Sequence, residues 1–228
     1  MVAAVLTAGL ALLLSRSLSN AGGVLVASRH RFALTEPVRL FLASSELRCS
    51  CLYQACVFAA FSAAWTTVPM LLTGPTLALS VQSVAAVGLV NAVPMVCTPL
   101  AGRLVDRVGP ARVNTWCFTG TLAAALLLAV GTLPAVVAGM LLLDVTMQCG
   151  MVANQTRIYA STRGFRSRMN TAYMTTSYLA GAAGSWLGTV LYLHLGWPAV
   201  TAFIAAVVAV ALGRHLRQPA DNPVAGVR

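Results

Sequence analysis

Six apolar runs, at about residues 51–73, 77–100, 113–131, 134–154, 170–193 and 198–213, take up most of the chain after residue 50. Each is read as a helix that spans a bilayer. A span needs roughly 20 apolar residues, and in lipid a single segment can satisfy its backbone hydrogen bonds only by coiling on itself. Turn signals separate the runs at Gly74-Pro75, Gly131 to Pro134, Ser161 to Gly164 and Gly196-Trp197-Pro198. The pattern predicts an all-α, polytopic membrane helix bundle.

Composition agrees. With 58% hydrophobic residues, 9% charged residues and a mean hydropathy of +0.81, a soluble domain could not cover its apolar surface. A net charge of +10 would suggest nucleic acid in a soluble protein. Here the arginines crowd into short connections, where membrane topology accounts for them, and no nucleic-acid partner is expected.

A further apolar run, residues 2–14, has the length of a signal h-region. No basic segment precedes it, and Arg16 stands where a small-residue cleavage site would lie. It reads instead as a membrane helix, short of the roughly 20 residues of a full span. The expected total is about seven transmembrane helices.

The segments 16–48, 103–112, 157–168 and the tail from Arg214 contain every arginine, and the intervening turns contain none. The positive-inside rule places these segments and the carboxyl terminus in the cytoplasm and the first residue outside, in an integral plasma (inner) membrane protein. The longest connection carries Thr35-Glu36-Pro37 ahead of Val38, Leu40, Phe41 and Leu42, the pattern of a short interfacial helix or an ordinary basic linker.

Residues 101–113, Ala-Gly-Arg-Leu-Val-Asp-Arg-Val-Gly-Pro-Ala-Arg-Val, form a charged island between two apolar runs. They read as a tight loop on the membrane surface. Gly102 would let two helices approach closely, Gly109 permits a sharp reversal, and Pro110 suits a first helical turn. Asp106 lies near the positive end of the next helix dipole, and Arg103, Arg107 and Arg112 can face phosphate head groups.

The spacing of Gly102, Leu104, Asp106, Arg107 and Gly109, with Arg112 following, resembles the signature loop of the major facilitator superfamily of secondary transporters. Family members usually carry basic residues where Pro110 and Ala111 stand. In that family two six-helix halves are joined by a long cytoplasmic loop, and the signature loop lies between the second and third helices of a half. The resemblance therefore implies a carboxyl-terminal half of a drug- or sugar-efflux-like transporter. It assigns residues 1–15 to the last helix of an amino-terminal half, 16–50 to the central loop, 51–213 to six helices and 214–228 to a cytoplasmic tail. The partners implied are the lipid bilayer, a small-molecule substrate, a proton as coupling ion, and an amino-terminal half or a second copy of the chain.

Polar residues inside the apolar runs are the site candidates, because lipid penalises them unless they serve a purpose. Asp144 is the one acid well inside a run, and Gln148, Met151 and Gln155 follow it on one helical face. Asp144 and Gln148 are the candidate coupling residues. The alternative for Asp144 is a fixed partner for an arginine or an amide. Gln54, Phe58, Ser62 and Thr66 recur every four residues, with Trp65 and Thr67 alongside. In the superfamily the first helix of a half lines the central cavity, so these residues join Asn170 and Tyr173 as the expected substrate cavity.

Ser177 leads from there into Gly181, Gly184 and Gly188, read as a close-packing face. Asn91, Pro94 and Thr98 suggest a structural kink. Trp197 and His194 read as interface residues.

There is no nucleophile motif, metal spacing or phosphate-cradling loop, so neither an enzyme nor a cofactor is expected. Cys49, Cys51, Cys56, Cys97, Cys117 and Cys149 read as core filler. Asn154-Gln155-Thr156 matches a glycosylation sequon by chance. Two functions remain open: a secondary transporter of small molecules, and a membrane-embedded structural or regulatory protein such as an inactive transporter fragment.

Overall fold

The computed structural model describes residues 39, 41–89, 93–161 and 166–217, leaving aside the side chains of 93–97 and 161. The run 2–14, most of the expected interfacial helix, Asn91, the side chain of Cys97 and the residues beyond 217 lie outside the described residues.

Helix α1 spans Ser45–Thr73. The Ser44 hydroxyl accepts from the Leu47 amide at 3.2 Å, and Glu46 lies in the first turn, where the helix dipole favours an acid. Helix α2 is Val81–Gly88, capped by the Ser80 hydroxyl, and α3 is Val93–Val108. Then come α4 (Pro110–Val130), α5 (Leu133–Ser161), α6 (Arg166–Leu195) and α7 (Trp197–Leu216). No strand interrupts them among the described residues.

The charged island is not the expected loop. Helix α3 continues through Arg103, Asp106 and Arg107 to Val108, and Pro110 opens α4, so the reversal falls on Gly109 alone. Its φ of 86° lies where a Cβ would be strained. Gly102 does not mediate close packing either: a Cβ built there meets nothing within 4 Å.

The same extension recurs elsewhere. Helix α1 starts at Ser45 rather than residue 51, α5 runs on to Ser161 and α6 begins at Arg166. Hydropathy marks only the hydrocarbon layer, roughly 30 Å thick, whereas helical hydrogen bonding continues through the head-group zone. Among the described residues, the arginines of the expected loops are thus largely in helix ends.

Four helices among the described residues are long and apolar enough to cross a membrane: α1, α4, most of α5, and α7. The expected span at 77–100 contains α2 and the first half of α3, with residues 90–92, just before Pro94, outside the described residues. Helix α6 is long enough, but its hydroxyls and glycines keep it below the same hydropathy.

Helix α1 lies at the centre, packed most extensively on α6 and also against α5 and α7, while α4 pairs with α5. Leu47, Ile158 and Met169 cluster at the arginine-bearing end, with Phe41 against them. His215 on α7 closes that end by contacting the Tyr53 hydroxyl at 3.3 Å, Thr115 Oγ1 at 3.0 Å and the Ala111 carbonyl at 3.1 Å.

At the opposite end Trp197 corrects the interfacial expectation. It is buried, and its indole N–H donates to the Leu128 carbonyl at 2.6 Å, tying the start of α7 to the last turn of α4. His194, near the end of α6, is exposed. Cys49, Cys51 and Cys117 are buried, and Cys56 and Cys149 partly so.

Candidate functional site

The site begins where α1 and α6 touch. Gly181, Gly184 and Gly188 are buried on the α6 face that meets α1. A Cβ at Gly184 would lie 2.3 Å from the Ala59 carbonyl oxygen, one at Gly188 2.8 Å from Ala63 Cβ, and one at Gly181 2.6 Å from the Phe58 ring. Small residues thus allow near-backbone contact, as the spacing predicts. Ser62 and Thr66 belong to this seam: the Ser62 carbonyl accepts from the Thr66 hydroxyl at 2.8 Å, and Thr66 Oγ1 meets Ser185 Oγ at 2.8 Å. Thr67 turns away and donates to the Ala63 carbonyl.

Toward the arginine-bearing end, four helices contribute to one buried polar chain. The Tyr173 hydroxyl (α6) donates to Gln54 Oε1 (α1) at 3.0 Å, and Asn154 Nδ2 (α5) donates to the same oxygen at 3.4 Å. Asn154 Oδ1 accepts from Asn114 Nδ2 (α4) at 3.0 Å. All four side chains are at most 1% exposed. Asn154, locked in this chain, has no access as a glycan acceptor. Asn170 lies to one side, accepting from the Tyr159 hydroxyl at 2.8 Å.

Asp144 lies further along α5, in the direction of the opposite end, and is 1% exposed. Its Oδ1 accepts from the Trp65 indole N–H at 2.7 Å, joining α5 to α1. Its Oδ2 has no hydrogen-bond partner among the described residues. The partner is thus neither an arginine nor an amide.

The face that starts at Asp144 fans out rather than acting together. Gln148 donates to Thr98 Oγ1 on α3 at 3.0 Å, and Gln155 reaches Met174 Sδ on α6 at 3.9 Å. Met151 borders a cavity of about 240 Å³ together with Gln54, Phe58, Met147, Met174, Ser177 and Tyr178.

Of the expected cavity residues, only Gln54 and Phe58 line this space. Ser62 and Thr66 serve the helix seam, Trp65 holds Asp144, and Asn170 and Tyr173 tie helices together. Met147, Met174 and Tyr178 were not singled out by sequence, because thioether and aromatic side chains in an apolar run look the same on a lipid-facing as on a cavity-facing position. Of the signature residues, Asp106, Arg107, Arg103 and Arg112 are exposed beside the Gly109 reversal, and Leu104 packs against Val105, Val113, Cys117 and Ala153.

Residues 50–226 match the family model of the Major Facilitator Superfamily. A probable transporter of Streptomyces coelicolor (SCO4007) is 32% identical over 72% of this chain and 38% of its own length. An uncharacterized transporter of Escherichia coli O157:H7 (YgaY) is 30% identical over 80% of this chain and 48% of its own length. The chain therefore spans less than half the length of these curated relatives.

Proposed function

Because this chain belongs to the major facilitator superfamily, we propose that it forms one half of a proton-coupled secondary transporter of small molecules. The observation that carries this reading is Asp144. An acid in the membrane interior is costly unless a proton, a cation or a partner neutralises it. Here the only hydrogen-bond partner found among the described residues is a neutral indole, and one carboxyl oxygen is free. A carboxyl held this way keeps one oxygen available to take up and release a proton.

The 240 Å³ cavity lies among the same helices that hold Asp144, so occupancy of the cavity and protonation bear on the same α1–α5 contact. Substrate sites in such transporters lie between two helix repeats. The second wall comes from an amino-terminal half or a second copy of the chain. The basic helix ends and the carboxyl terminus face the cytoplasm of a plasma-membrane protein, following the arginine distribution.

Cells lacking their main efflux pumps test the transport reading. With the chain and a complementary amino-terminal half expressed together, accumulation of at least one dye in an amphipathic panel should change, and a protonophore should abolish the change. Accumulation identical with and without the chain, or a change indifferent to the protonophore, contradicts it.

A further inference from the structure

The cavity wall specifies what enters. Its seven lining residues comprise three methionines, a phenylalanine, a tyrosine, a serine and a glutamine, with no charged side chain among them. Ser177 donates to the Tyr173 carbonyl at 2.7 Å, and Gln54 Oε1 accepts from Tyr173 and Asn154, while Gln54 Nε2 is buried with no hydrogen-bond partner among the described residues. That amide nitrogen and the Tyr178 hydroxyl can meet a single polar group such as a phenol oxygen; they are too few for a polyol, and nothing in the lining neutralises an anion.

The apolar part of the wall is shaped for a ring. Phe58 packs edge-on to Tyr178 with centroids 5.7 Å apart and stacks on Phe61, so its orientation is fixed by neighbours. The rest of the apolar lining is Met147 and Met151, four residues apart on α5, and Met174 on α6. Thioethers are polarisable, favour contact with ring edges and adapt to irregular shapes. The volume lies slightly below the roughly 300–1,000 Å³ of ordinary small-molecule sites, which limits the occupant to a compact body. Tyr178 is 60% exposed, leaving the mouth open on that side.

We propose that this cavity binds a neutral, compact aromatic molecule between the Phe58–Tyr178 pair and the Met147–Met151–Met174 wall, and rejects anions and polyols. The proposal deepens the transporter reading and rests on it for biological meaning, while binding itself can be measured without flux. Asp144 is not part of the lining; its carboxyl is turned to Trp65.

Two probes of the same shape but different charge test it: 2-naphthol and 2-naphthalenesulfonate. Each is titrated into lipid nanodiscs holding the full chain, with empty nanodiscs subtracted. The naphthol should saturate at one site, with the sulfonate at least about tenfold weaker, because an unpaired charge is strongly penalised in an apolar site. Met151→Lys should reverse the order, and Met151→Leu should leave naphthol binding in place, which separates loss of the site from loss of the fold.

Non-saturable naphthol uptake, equal affinities, or an order untouched by Met151→Lys overturns the proposal. So does tighter binding of 2-naphthylmethylammonium than of naphthol, which would make Asp144 rather than the wall the selector. Saturable naphthol binding in a chain that fails the protonophore assay would sink the transport reading and leave the binding site standing.

Discussion

Asn154 shows how much one polar side chain decides in this bundle. It receives a hydrogen bond from Asn114 and gives one to Gln54, joining α4, α5 and α1 in the buried interior. Asn154→Leu removes both bonds at once and leaves the Asn114 amide without its acceptor. A buried group stripped of its partner costs about 1–3 kcal/mol, so reversible unfolding in mixed micelles should show a loss of that order. A change within about 0.5 kcal/mol, the range of neutral surface substitutions, contradicts the role assigned to the chain of amides. Gln54 and Asp144 could be found from sequence because lipid makes any polar residue in an apolar run conspicuous. Their partners could not: Trp65 and Tyr173 lie 79 and 119 residues from the groups they bond. His215 escaped notice for another reason, since it follows Arg214 in what reads as the start of a polar tail.

Among the elements, α1 and α6 carry the tightest contact. Gly184→Val should lower stability by about 1–3 kcal/mol or more, the usual cost of overpacking, because backbone rather than a flexible side chain stands in the way. Gly102→Ala is the matched control: with no neighbour within 4 Å it should be neutral or slightly stabilising in the same unfolding measurement. Equal effects at the two positions would mean that the α1–α6 seam tolerates separation. The three-and-four spacing of the α6 glycines made this seam legible, and the apolar runs located α1, α4, α5, α6 and α7, while the run at 77–100 merged α2 with the first half of α3. Helix ends were not legible, because hydropathy reports where lipid tails begin and says nothing of where backbone hydrogen bonding stops. The island around Asp106 was misread as a loop on that account.

For the whole molecule, the arginine distribution predicts an orientation. In a cysteine-free background, single cysteines at Thr76 and Thr132 should label from outside intact cells, while ones at Ala111 and Ser167 should not; the reverse pattern refutes the orientation. The architecture followed from sequence because repeated apolar runs leave one class of fold open. The cavity did not, since its wall is assembled from three helices whose mutual rotation is fixed only by contacts such as Phe58 over Gly181.

Proton coupling by Asp144 is the central claim to test. Proteoliposomes carrying the chain with its complementary half, and a compound that passes the protonophore assay, allow two rates to be compared. One is accumulation or extrusion driven by an imposed pH gradient, the other exchange of labelled for unlabelled compound with no gradient. In Asp144→Asn the driven movement should vanish while exchange persists, since the amide keeps the shape of the side chain and cannot carry the proton. Driven movement at the parental rate in Asp144→Asn would contradict the account.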